Sequence, residues 1–229
     1  MRTERGLDRL VTLVDAVVAI AITLLVLPLI ELLAEGGEQD LGTLLVEERA
    51  QFGAFALSFV VIARLWLAHH RIVESVGGYD PIFSWLNFAW AFTIVVVPFT
   101  TQVVAEFGTD RLSVGLYVGT IAAGSALTTL LTVLVQRRPH LRRTSVAAAD
   151  VLVTPALVTT GLLVVALVVG VALPAANFWA LLLLWLSGPV ERLVGRWWAR
   201  PRSVARRGLR AQHRGQDVED DDQREGPPR

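Results

Sequence analysis

Long apolar runs separated by short polar connections dominate the chain. Six runs of span length lie near residues 10–33, 50–73, 82–105, 112–135, 147–173 and 176–198. Each approaches or exceeds the ~20 residues that cross a hydrocarbon core of ~30 Å as a helix. The predicted fold is therefore all-α, an integral membrane protein with six transmembrane helices per subunit. Arginines precede the first run as in a signal peptide, but its apolar part is longer than a signal core and no small-residue cleavage site follows. We read it as a span.

Charge in the connections orients these spans, because arginine resists translocation and acidic residues count for little. Arg2, Arg5 and Arg9 precede the first run, Arg137, Arg138, Arg142 and Arg143 follow the fourth, and six further arginines from Arg196 to Arg210 close the sixth. The first connection holds Glu35, Glu38, Asp40, Glu47 and Glu48 with a lone Arg49, the third holds Glu106, Asp110 and Arg111, and the fifth is the uncharged "PAAN". This pattern predicts both termini in the cytoplasm. It divides the chain into a transmembrane domain, residues 1–198, and a charged tail, residues 199–229, which ends "DVEDDDQREGPPR" and is too polar to pack.

Composition strengthens the membrane reading and removes other classes. Of 229 residues 53% are hydrophobic and 18% charged, with a mean hydropathy of +0.53, outside the range of an ordinary soluble domain. Absence of cysteine excludes disulfides, thiolate metal sites and cysteine nucleophiles. No phosphate-cradling glycine loop, metal-ligand spacing or nucleophile with a base is present, and in "AHHR" the adjacent histidines point about 100° apart on a helix. The chain reads as no enzyme, with no cofactor and no metal. Its basic tail lacks the interleaved aromatics of a nucleic-acid binder, so nucleic acid is not an expected partner.

Polar residues inside the first run carry the candidate chemistry. In "RLVTLVDAVVAIAITLLVLPL" the spacing of Ala16, Ile20, Thr23, Leu27 and Ile30 follows helical period and puts them on one stripe. Around a shared axis, Ile20 and Leu27 would form hydrophobic collars and Thr23 a hydroxyl ring between them, the elements of a dewetting gate and of partial cation coordination. The same pattern fits a packed helix whose threonine bonds its own backbone. Asp15 costs ~2.5–3.5 kcal/mol in a span unless partnered. The second run ends "RLWLAHHR" at similar depth, which brings Trp66 and His69 within reach of it, while His70 is placed in the headgroup region. Asn87 is read as a bond to a neighbouring helix, Pro98 as a kink, and Gly115, Gly119 and Ala123 as a close-packing stripe.

These residues resemble the endosomal and lysosomal potassium-channel family known as transmembrane protein 175, in its bacterial form. The family's first helix has an arginine, three residues, then Phe-Ser-Asp, an Ala-Ile pair and a Thr-Leu-Leu-x-Leu run. Here Arg9, Asp15, Ala19, Ile20, Thr23, Leu24, Leu25 and Leu27 match, with Ser58, Phe59, Trp66 and His69 in the second run, Asn87, Pro98 and Phe99 in the third, and Tyr117 in the fourth. The resemblance implies a homotetramer in the bacterial cell membrane that passes potassium ions through a pore lined by the first helix. It implies pore-lining and selectivity roles for Ile20, Thr23 and Leu27, and a supporting polar network of Arg9, Asp15, Trp66 and His69. Leu13 and Val14 stand where the family has Phe-Ser, which removes an aromatic anchor and a hydroxyl. A mainly proton-permeable channel and a non-conducting membrane scaffold are the alternatives that this departure leaves open.

Overall fold

The computed structural model describes residues 4–35, 40–108, 110–147, 151 and 153–172. They lie within one compact unit, Met1–Gly188. The helices are α1 (Glu4–Leu24), α2 (Leu27–Glu35), α3 (Leu41–Glu47), α4 (Arg49–Glu74), α5 (Pro81–Phe107), α6 (Arg111–Arg137) and α7 (Val153–Ala172), with a 3-10 turn at Pro139–Leu141. Aspartates start three of them. Asp40 accepts from the backbone N–H of Gly42 and Thr43, Asp80 from Phe83 at 2.8 Å, and Asp110 from Leu112, each satisfying an orphan donor at the positive end of the helix dipole.

Among the described residues four helices are long and apolar enough to cross a membrane: Arg5–Ala34, Arg49–Glu74, Pro81–Phe107 and Arg111–Arg137. The expected six transmembrane helices are corrected to these four. The fifth run supplies α7, Val153–Ala172, which is not among these four. Hydropathy drew that run from residue 147, through "AAAD"; the described helix is Val153–Ala172. The sixth run and the charged tail lie outside the described residues. The expected cytoplasmic side of the C-terminus falls on those same residues. The chain is a multi-pass integral membrane protein.

The first span is broken where α1 gives way to α2. Pro28 has no N–H to bond the carbonyl of Leu24, and its ring crowds that turn. The ladder shifts there to bonds that span three residues, Val26 N to Thr23 O at 3.3 Å and Leu29 N to Val26 O at 3.1 Å. In α5, Pro98 also removes a bond, yet the helix continues to Phe107.

Inside the bundle α6 packs against α5 on one side and α7 on another, while α1 rests mainly on α5 and on α4. Val14, Val18, Ala21 and Leu25 of α1 meet Val61, Ile62 and Leu65 of α4, Trp90, Ile94 and Val97 of α5, and Tyr117 and Ile121 of α6 in the main apolar cluster. A second cluster joins Leu7, Ile72, Phe83, Leu131 and Leu141 near the start of α1. Hydroxyls tie α6 to α7, since Ser125 and Thr129 each lie 2.9 Å from the Thr160 hydroxyl.

At the start of α1 the α4–α5 connection is zipped to the stretch after α6. Gly77 N–H donates to Leu141 O at 2.8 Å and Arg143 N–H to Ser75 O at 3.0 Å. The Asp80 carboxylate takes the Arg138 guanidinium and lies 3.4 Å from His140 Nε2. A side chain at Gly6 would put its Cβ 2.2 Å from the Tyr79 hydroxyl, so glycine lets α1 begin against this clamp.

Candidate functional site

The first span has two unlike faces. Leu7, Val14, Val18, Ala21, Leu25 and Leu29 are buried against the other helices. Ile20 and Leu27 keep 59% and 47% of their surface exposed, and Ala16, Thr23 and Ile30 are exposed on the same side. The five stripe positions read from helical period thus share the unpartnered face of the subunit. Thr23 donates its hydroxyl to Ile20 O at 2.8 Å, the local bond that a packed helix would also make. That bond uses the proton only, so the oxygen lone pairs stay available on the exposed face.

Asp15 lies between the two faces. It is half-buried, and the indole N–H of Trp66 donates to its Oδ1 at 2.9 Å, which ties α1 to α4. Trp66 in turn stacks on His70, ring centroids 5.1 Å apart, and His70 Nε2 sits 3.6 Å from Glu74 Oε1. His70 therefore backs the tryptophan as well as standing near the end of its helix. Arg9 is exposed and makes none of these bonds.

His69 is brought to a different partner. Only 2% exposed, it lies 2.7 Å from Asn87 Oδ1 and stacks on Trp90 with centroids 4.1 Å apart. Asn87 spends its amide N–H on Phe83 O at 2.7 Å, so its oxygen accepts, and His69 carries its proton on Nε2. Trp90 passes the chain on by donating to the Thr128 hydroxyl at 2.9 Å. Histidine, asparagine, tryptophan and threonine thus link α4 to α5 and α5 to α6 without an exposed polar atom. A third buried set links Ser58, Thr101 and Tyr117 across the same three helices, at 2.8 and 3.0 Å.

Trp90, Thr101 and Thr128 were not among the sequence candidates. A signal was present in "NFAW", because asparagine and tryptophan three apart lie on one helical face. Asn87 does bond a neighbouring helix, as its isolation in an apolar run implied.

Leu13 and Val14 are absorbed in different ways. Val14 is buried among apolar side chains, 1% exposed, and Leu13 sits on the open face at 48%. Among the described residues the one buried side-chain N or O atom without a partner is Arg142 Nη1, well away in sequence from Val14. Valine at this position has left no orphan donor or acceptor in the core.

At the edge of the bundle, burial pushes the Asp80 carboxyl up, but the Phe83 N–H, the Arg138 guanidinium and His140 together outweigh it. They hold the carboxyl below its ordinary value. No group of three or more histidine, aspartate or glutamate side chains able to hold a metal occurs among the described residues.

Residues 9–98 match the family model described as endosomal/lysosomal potassium channel TMEM175. A potassium channel of Streptomyces collinus is 33% identical over 93 residues, 41% of this chain and 45% of that protein. A potassium channel of Chamaesiphon minutus is 33% identical over 114 residues, 48% of this chain and 56% of that one. The mouse protein named endosomal/lysosomal proton channel TMEM175 is 27% identical over 128 residues, 54% of this chain and 26% of that protein. These matches span between about a quarter and just over half of the relatives' length. The crystal structure of a lysosomal potassium-selective channel TMEM175 homolog from Chamaesiphon minutus superposes with a TM-score of 0.66 at 24% identity, covering 82% of this chain and 98% of that one.

Proposed function

On the match of residues 9–98 to the TMEM175 family model, we propose that this chain is a passive cation channel of that family whose first span lines the pore. The observation that carries the reading is the open face of that span. A helix surrounded by lipid alone has no need of a hydroxyl between exposed collars, whereas in a ring of subunits Ile20 and Leu27 narrow the path and Thr23 offers oxygens to a partly dehydrated ion.

Four copies around an axis would bury these faces toward one another. The Asp15–Trp66 bond anchors the same helix from behind, and the His69–Asn87 and Trp90–Thr128 bonds stiffen the wall that it rests on. The packed environment of Val14 supports a wall that tolerates the missing serine. Arg9, exposed and outside the network, is left to the membrane boundary.

Potassium is the ion that we assign first, on the names of the two bacterial relatives; the animal relatives are named proton channels, which makes protons the second reading. Purified protein in potassium-loaded liposomes separates the two. Loss of internal potassium that drives proton uptake only after a protonophore is added supports a potassium path. Proton uptake without the protonophore supports the second reading, and no ion movement from assembled oligomers defeats both.

A further inference from the structure

A conduction path has mouths as well as a narrowest ring, and the open face of the first span is charged at both ends. Arg5, Asp8 and Arg9 lie at its start, all exposed. Beyond Thr23 and Leu27 the face ends in Glu31, one helical turn past Leu27 in α2 and exposed like it. The buried side of the same turn is Leu25 and Leu29, so Glu31 points away from its own subunit's core. It makes no hydrogen bond or ion pair with any described residue.

We propose that Glu31 is the cation-collecting group of the channel, a ring of carboxylates at one mouth that raises the local cation concentration and makes entry easier there than at the Arg5 and Arg9 end. The proposal rests on the channel reading above. Carboxylates at a mouth act by Coulomb attraction, which grows as salt is lowered. An unpaired, hydrated carboxylate holds a potassium ion weakly enough to release it into the narrow part, as passage requires. Identical subunits repeat the charge around the axis. The arginines at the other end leave that mouth without such a field, so currents in symmetrical dilute salt should rectify.

The test is potassium current through planar bilayers holding the wild type or Glu31→Gln, in dilute and in concentrated potassium chloride. At ~10 mM, four charges about 10 Å from the ion imply a current about three- to eightfold larger in the wild type; at ~1 M, with a Debye length of about 3 Å, the two become equal. Because the chain has no cysteine, Glu31→Cys can be labelled at that position alone. A sulfonate-bearing thiol reagent should restore the dilute-salt current and an ammonium-bearing one should lower it further, from one side of the bilayer only. Equal currents at both salts from a conducting wild type, or labelling without effect, would overturn the proposal and leave the channel reading standing. A wild type that carries no current overturns both.

Discussion

Trp66→Phe removes one N–H and keeps most of the ring, so its first effect is to delete the 2.9 Å bond to Asp15. A hydrogen bond to a charged group contributes ~1.5–3 kcal/mol, and the carboxylate left behind stays half-buried on an apolar helix with no other hydrogen-bond partner among the described residues. Phenylalanine can still stack on His70, which limits the packing loss. The expected destabilisation is about 2 kcal/mol, equivalent to a fall of about 4–8 °C in Tm for a chain of this size. Thermal unfolding of the purified protein in detergent reads it directly. Asp15→Val should cost a comparable amount by stranding the indole N–H. The double variant, which replaces both partners by apolar groups, should lose much less than the sum, with a coupling of ~1–2 kcal/mol. Losses that simply add would mean that the bond does not hold α1 to α4, and the reasoning about the pore wall would fail with it.

Two further outcomes are expected. Because the Asp80 carboxyl is held below its ordinary value, its pairing stabilises the fold fully above the unfolded carboxylate value of ~3.9 and loses that contribution as pH falls through the lower folded value. Asp80→Asn keeps the cap but loses the ion pair, worth up to about 1 kcal/mol, so Tm should fall by up to about 2–4 °C at neutral pH, and the gap from wild type should close in acid. Ile20→Asn places an amide on the exposed face where the collar is proposed, so potassium efflux from liposomes should rise several-fold; an unchanged rate would remove Ile20 from the constriction.

Much of this architecture was legible because helical period and hydrophobicity are local properties. The stripe of Ala16, Ile20, Thr23, Leu27 and Ile30 emerged from spacing alone and is the open face of the folded subunit. The Asp15–Trp66 contact followed from comparing depths on antiparallel neighbours. Depth could not say which neighbour a polar side chain turns toward, so His69 was matched to Asp15 when α5 offers Asn87 and Trp90 instead. Arg9 lies six residues before Asp15, about 240° around the helix, too far round to share its face. Hydropathy reads apolar length and finds six runs; four described helices have span length, and the sixth run lies outside the described residues. It also passed over α3, whose only strong signal is Asp40 placed to cap a seven-residue helix. The small-residue stripe was displaced in the same way. Ala123 is exposed, and the close approach occurs one residue on, at Gly124, where an added Cβ would lie 3.0 Å from the Thr93 hydroxyl.

The central claim is that ions pass along the open face of the first span. A cysteine-free chain lets one measurement address it: current through planar bilayers before and after a small thiol reagent, for Thr23→Cys and for Val18→Cys, whose parent side chain is 4% exposed on the opposite face. Block of the Thr23 variant with the Val18 variant untouched is the predicted result. Current that survives labelling at Thr23, or is blocked only at Val18, would place the path elsewhere.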